Sequence, residues 1–228
     1  MEARLEEFLI SFVEKMSALT KKEALAYFEA TTTGNSEKYK EVSEVQLEIS
    51  RFLSDRKAFS ELKEFKQSGK IEDDFLKRQL ELVYNNYAAH QFNENLQEEI
   101  IALSVKIEEQ FSKFRAKLDG ETVTDNKIDE ILKTSSDAVS LRRAWEASKE
   151  IGVLVESDVR RLAELRNKAA EEMGYKNYHS MSLALNEQDP FEIERLFDEL
   201  DNLTAKAFVK LKEEIDTFLS EKNGISRD

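Results

Sequence analysis

The chain has 228 residues, 36% of them charged and 40% in the hydrophobic set, and a formal net charge of −13. This acidic balance argues against nucleic acid or a membrane as a main partner, because phosphate-bearing surfaces are bound by clustered lysine and arginine. Cysteine is absent, which excludes disulfides, thiolate nucleophiles and cysteine-ligated zinc and favours a cytoplasmic location.

Six glycines and one proline interrupt the chain, so we expect long helices. An apolar stripe predicts a first helix over residues 2–18. Thr20, with Glu23 three residues later, has the spacing of a capping box and predicts a second helix through residue 28. The β-branched residues 31–33 and Gly34 then predict a loop.

The next region is predicted to hold three helices. Asn35 opens a long third helix that reaches residue 66, and a fourth covers residues 71–87. The fifth, residues 93–118, has the most regular apolar pattern, with steps of four and three at Leu96, Ile100, Leu103, Ile107, Phe111, Phe114 and Leu118. This seam predicts packing against another helix of the same chain, and a coiled-coil dimer is the alternative.

Residues 119–126 form the longest irregular stretch, with a short extended piece at 121–124. Gly152 and Gly174 lie where left-handed helix caps belong, and Asp189 with Pro190 is a strong helix start. The helices predicted for this half cover residues 126–135, 137–151, 155–173, 176–187 and 190–222.

No pair of strands capable of building a sheet is evident. The predicted fold class is therefore all-α, with nine to ten helices in long antiparallel packing. We expect an N-terminal lid and helical subdomain over residues 1–118 and a helical scaffold subdomain over 119–228. The two are expected to form one continuous domain.

Zinc hydrolases of the H-E-x-x-H type need two histidines one helical turn apart. This chain has two histidines, His90 and His179, far apart in sequence. At a spacing of four residues, His90 and Glu94 would share a helical face and could ligate a metal, but two ligands without a third make this the least favoured interpretation. No Gly-x-Ser-x-Gly elbow or phosphate-binding glycine loop is present either. We therefore predict no catalytic residue and no metal ligand in this chain.

Trp145 is the only tryptophan and lies between Arg142, Arg143 and Lys149. A cation–π cluster or a ligand-stacking role is one interpretation. A core position is the favoured one, because the same helix carries other apolar residues. If Trp145 is buried, its replacement by alanine should cost roughly 3–5 kcal/mol.

Four tyrosines are candidates for a peptide-binding cleft. Their alternative role is helix packing with a solvated hydroxyl. They are Tyr84, Tyr87, Tyr175 and Tyr178. Neither interpretation assigns a substrate-binding residue, so the substrate contacts of this chain stay unknown from sequence alone.

An ordered series of short motifs runs through the second half of the chain. It comprises Ala144-Trp145-Glu146, Gly152, Leu165-Arg166-Asn167-x-Ala169, Gly174-Tyr175, Tyr178, and Asp198 to Leu203 through Phe208. In order and spacing the series resembles the N-terminal half of angiotensin-converting-enzyme-like peptidyl-dipeptidases and related oligopeptidases. The resemblance covers about residues 125–220 well and the first hundred residues only by helix pattern.

The resemblance implies one lobe of a two-lobed helical zinc peptidase, in which residues 1–66 restrict entry to a deep cleft. The family's metal is held by an H-E-x-x-H helix and a downstream glutamate, and no position here matches them. Some members bind a halide through an arginine near the equivalent of Tyr178. His179 and Ser180 stand there instead, so the resemblance does not extend to chloride activation.

We therefore expect the N-terminal helical lobe of a zinc-dependent peptidase, inactive alone, that shapes the cleft and lid. Its partners would be the C-terminal catalytic half of the same protein, which carries the zinc and would follow the helix stop at Gly224, and a peptide substrate. The alternative is a stand-alone helical interaction protein that uses the seam at residues 96–118. A lobe without its partner should also expose an apolar patch above a few hundred Å².

Overall fold

A computed structural model describes residues 1–226, and this part of the chain forms nine α-helices and one short hairpin. The all-α prediction is confirmed. The helices are α1 (Glu2–Thr33), α2 (Ser36–Leu53), α3 (Arg56–Gln67), α4 (Asp74–Ala88), α5 (Glu94–Lys113), α6 (Asp125–Thr134), α7 (Ala138–Glu172), α8 (Tyr178–Leu185) and α9 (Pro190–Asn223). The strands are β1 (Lys117–Leu118) and β2 (Glu121–Thr122).

The hairpin corrects the expectation that no strands pair. β1 and β2 are antiparallel, with Lys117 opposite Thr122. Asp119 and Gly120, which connect the strands, have φ angles of 53° and 86°. Positive φ at both central residues is the requirement of the tight turn that Asp-Gly favours. The predicted irregular stretch at residues 119–126 thus begins with the Asp-Gly turn of a hairpin whose strands have two residues each.

α1 is one helix where two were predicted. Thr20 lies inside it, so its expected cap does not form. Residues 31–33 also remain helical, and their hydroxyls donate to carbonyl oxygens four residues earlier at 2.5–2.9 Å. α1 ends at Gly34, whose φ is 68° and whose N–H donates to the Ala30 carbonyl. A local capping signal is overridden here by the apolar packing of the whole helix.

The predicted third helix is in fact two, α2 and α3. Asp55 causes the break: its carboxylate accepts hydrogen bonds from the backbone N–H groups of Lys57 and Ala58 at 2.8 and 3.1 Å. These bonds satisfy two donors that a new helix would otherwise leave unpaired. The apolar spacing continues across the break, which is why periodicity alone gave a single helix.

The predicted helices at 137–151 and 155–173 are also one helix, α7. Gly152 lies inside it and has no positive φ, so its assignment as a left-handed cap was wrong. Gly174 is the real terminus, with a φ of 85°. The N–H of Tyr175 donates to the Ala170 carbonyl at 2.9 Å and closes the helix end.

The chain divides into two compact units, and unit 1 comprises residues 1–112 and 157–188. Its main core joins α1, α3 and α4 through Leu5, Leu9, Leu62, Phe65, Leu80 and Tyr87. A second cluster joins α1, α2 and α5, and a third joins α5 to the end of α7. Leu96, Ile100 and Leu103 belong to the third cluster, as expected for a seam that packs within the chain. The second half of the predicted seam was wrong, because Phe111 is exposed and α5 ends at Lys113, before Phe114 and Leu118.

Unit 2 comprises residues 113–156 and the segment from Asp189 onward. Its core is small and is built from Ala116, Ile128, Ala144 and Ala147. α9 begins as predicted: Asp189 accepts from two backbone N–H groups at 2.8 and 3.2 Å, and Pro190 is the first helical residue. The boundary predicted between residues 118 and 119 stays a prediction.

Gly152→Ala should raise the free energy of unfolding by about 0.4–1 kcal/mol, because alanine favours the helix and restricts the unfolded chain. A Cβ at this position meets no atom within 4 Å. Gly174→Ala is the control and should lower stability by about 1 kcal/mol or more, since its φ is left-handed. Urea unfolding followed by circular dichroism measures both. Destabilisation by Gly152→Ala would contradict a continuous α7.

Candidate functional site

The structure does not assemble a metal site around His90. Its Nδ1 lies 2.9 Å from the Asn86 carbonyl oxygen. Burial lowers the pKa of His90, and the hydrogen bond to Asn86 partly offsets that effect. Glu94 instead forms an ion pair with Arg51 at 3.3 Å. Within residues 1–226 no three histidine, cysteine or acidic side chains are grouped to hold a metal ion. The described residues therefore do not fit the zinc that the resemblance implies.

Trp145 is 55% exposed, so the favoured core position was wrong. The apolar face of α7 in unit 2 is instead made by its neighbours Ala144 and Ala147, which are buried. Residues one apart on a helix point about 100° away from each other. The Lys149 ammonium lies 5.7 Å from the indole centroid, and Arg142 forms an ion pair with Glu146 at 2.7 Å.

The four candidate tyrosines do not share one environment. Tyr87 is buried in the main core, and burial raises its pKa to about 12. Tyr84 packs against the same core, with its ring 5.2 Å from that of Phe59. Tyr175 is half-buried, whereas Tyr178 is partly exposed beside Arg166. Tyr84 and Tyr87 thus serve helix packing, and Tyr178 lines a pocket.

That pocket lies within unit 1 and has a volume of about 260 Å³. We call it the Arg166 pocket. Its apolar walls are Ala89, Phe92, Ile100, Ile101, Ala169 and Met181. Its polar lining residues are Ser50, His90, Gln97, Arg166 and Tyr178. The sequence places Arg166 in the Leu165-Arg166-Asn167 motif but does not predict its convergence with residues of the other helices.

A buried hydrogen-bond network fixes one wall of the Arg166 pocket. The Ser50 hydroxyl donates to the side-chain oxygen of Gln97, and both residues are only 4% exposed. The Gln97 amide donates in turn to the carbonyl oxygens of His90 and Phe92 at 2.8 and 3.1 Å. A satisfied buried amide is a rigid element. It holds the connection between α4 and α5 in place against α2.

Arg166 supplies the positive charge at this pocket. Its guanidinium lies 5.2 Å from the Tyr178 ring centroid and 3.5 Å from the Ser104 hydroxyl. Glu108 is close enough to interact with it electrostatically. Partial burial and the neighbouring Glu23 raise the pKa of Glu108, whereas Arg166 lowers it.

α9 presents a second surface of interest. None of its described residues is buried. Apolar side chains recur along it mostly at steps of three and four and so share one side of the helix. This α9 apolar face consists of Leu196, Phe197, Leu200, Leu203, Phe208, Leu211, Ile215, Phe218 and Leu219, all exposed. No helix in residues 1–226 combines the length and apolarity needed to cross a bilayer.

Trp145→Ala should lower the free energy of unfolding by about 1 kcal/mol or less, because the indole is more than half exposed. Leu165→Ala on the same helix is the control and should cost about 2–5 kcal/mol, since Leu165 is 2% exposed. Denaturant unfolding measures both, and quenching of the single tryptophan by acrylamide reports its exposure. A loss of several kcal/mol together with a protected indole would place Trp145 in a core.

The peptidase M2 family model, described as angiotensin-converting enzyme, matches residues 1–223. No curated individual protein matches the chain. The family match includes the first hundred residues, where the sequence resemblance rested on helix pattern alone. With nearly every residue covered, the chain belongs to the angiotensin-converting enzyme family of peptidases, as its motif series predicted.

Proposed function

We propose that this chain is the N-terminal helical lobe of a zinc-dependent peptidase that hydrolyses peptide bonds as a peptidyl-dipeptidase or oligopeptidase. The family match over residues 1–223 is the observation that carries the proposal. The all-α architecture supports it as well. In this role the chain shapes the substrate cleft, and its partners are a peptide substrate and the catalytic half of the same protein. We place it in the cytoplasm, in keeping with a sequence without cysteine.

In this proposal the catalytic half of the protein binds the zinc. It is supported by the lack of any cluster of three potential ligands in the described part of the chain. Glu94, the carboxylate considered as a ligand together with His90, pairs instead with Arg51. The lobe therefore contributes binding surface, and the proposal assigns it no step of bond cleavage.

Residues 1–66 are the proposed lid. A groove of about 580 Å³ between α1 and α4 supports this role. Ile10 and Val13 from α1 and Phe75 from α4 line it, and all three are exposed apolar side chains. A groove lined by apolar side chains and flanked by acidic ones suits an extended peptide. Glu6, Glu14 and Asp73 provide that acidic flank.

A stand-alone helical interaction protein is the second candidate, and the α9 apolar face is the observation that favours it. The seam first considered for this role is less suitable, because Leu96, Ile100 and Leu103 contribute to the core of unit 1. An exposed apolar surface of this kind marks an interaction site. In the leading proposal the catalytic half covers this face, and in the second candidate another protein does so.

Peptide cleavage tests the leading proposal directly. The chain should not cleave internally quenched peptides in a chelator-sensitive manner, even with added zinc, because no group of described residues fits the metal. A zinc peptidase of known activity serves as the positive control. Chelator-sensitive turnover that is lost in both His90→Ala and His179→Ala would show that the chain holds its own zinc and would overturn the assignment.

The α9 apolar face gives a second test. The double variant Leu200→Gln/Leu203→Gln should leave the free energy of unfolding within about 0.5 kcal/mol of the original, because the two side chains are 50% and 81% exposed. It should reduce binding of an apolar fluorescent dye and self-association in sedimentation. Leu25→Gln is the matched control on α1, where the side chain is exposed outside this face. Strong destabilisation by the double variant would mean that the face is already packed.

A further inference from the structure

We infer that the Arg166 pocket is a binding site for a small monocarboxylate with an apolar body. The site lies within unit 1, and ligand binding there goes beyond the proposed role of the lobe in shaping the cleft. Three features carry the inference: an arginine without an ion-pair partner among the described residues, apolar walls of limited volume, and a rigid polar network that leaves the recognition of charge to Arg166.

The first feature is the electrostatic state of Arg166. Arg51, Arg78 and Arg161 in the same unit each form ion pairs with glutamates. Arg166, by contrast, is half-buried, and no carboxylate among residues 1–226 forms an ion pair with it. A guanidinium has five N–H donors in a planar fork that matches a carboxylate. Ser104 accepts from one nitrogen at 3.5 Å, so several donors remain for a ligand.

The second feature is the shape and polarity of the pocket beside this cation. Its volume of about 260 Å³ corresponds to roughly nine water molecules at about 30 Å³ each. Phe92, Ile100, Ile101 and Met181 line it. Transfer of an apolar group from water to such walls is favourable in proportion to the area buried. A ligand with a carboxylate at Arg166 and a short hydrocarbon body satisfies both parts of the site.

The third feature explains why one negative charge is selected. Ser50 and Gln97 are already hydrogen-bonded to each other and to the backbone, so they require no ligand. Burial lowers the pKa of His90 and keeps it neutral near pH 7. Arg166 is the one cationic side chain among the lining residues of the pocket. A single guanidinium matches one carboxylate better than a phosphate or a dicarboxylate, which carries more negative charge.

Phenylacetate and its neutral isostere phenylacetamide are the probes, with binding measured by calorimetry or by NMR shifts on the whole chain. The acid should bind saturably and at least about tenfold more tightly than the amide, since a hydrogen bond between two charged groups is stronger than one to a neutral amide. Arg166→Gln should weaken binding of the acid at least about tenfold. Arg56→Gln, which removes the same charge from the exposed start of α3, should leave it unchanged.

Ile101→Trp fills the pocket from a half-buried wall position and should weaken the acid and the amide alike. Thermal unfolding verifies that each variant is folded. N-acetylleucine and its amide form a second probe pair. If N-acetylleucine binds more tightly than phenylacetate, the natural ligand is the carboxyl end of a peptide. If phenylacetate binds more tightly, the natural ligand is a free acid. Equal binding of acid and amide, equal effects of the two arginine variants, or no saturable binding would overturn the inference.

Discussion

The fold of unit 1 depends on the packing of the apolar stripe of α1 against α3 and α4. Leu5 and Leu62 are fully buried there, and three aromatic rings surround Tyr87 with centroids 5.9–6.2 Å away. The sequence has no cysteine, so burial of apolar surface must hold these helices together. The same contact fixes α4 and with it the segment that follows, where His90 begins one wall of the Arg166 pocket.

The high helix content and several helix ends were predictable because their sequence signals are local. Asp189 caps α9, and Gly174 ends α7 with the expected positive φ. Thr20 and Gly152 are equally local signals, but the helix ends predicted from them were wrong. A cap residue or a glycine is tolerated inside a helix when the residues on both sides favour the helix. Asp55 shows the converse: the apolar spacing runs through it, yet its carboxylate starts a new helix. Apolar periodicity indicates which side of a helix is apolar, but it does not indicate whether one helix or two carry the pattern.

The candidate site was harder to predict because its parts are distant in sequence. Ser50, Gln97 and Arg166 come from three helices, and only tertiary packing brings them to one pocket. One sequence signal exists: Arg166 follows Leu165 directly and lies four residues after Leu162, on the edge of the buried stripe of α7. A half-buried cation at that position favours an anionic or polar partner. The core position predicted for Trp145 was wrong for a related reason: alanines form the buried side of α7 in that region.

α9 connects the fold to the proposed function. It has 34 residues and no buried side chain, and its side-chain contacts include ion pairs such as that of Arg195 with Glu199 at 2.6 Å. Such pairs contribute about 0.2–0.5 kcal/mol each, whereas covering one large apolar side chain contributes about 1.5–3 kcal/mol. A partner that covers the α9 apolar face therefore stabilises this helix more than its ion pairs do. In the proposed peptidase the zinc-bearing half is that partner, and it supplies both apolar surface for α9 and the metal ligands that are not grouped within residues 1–226.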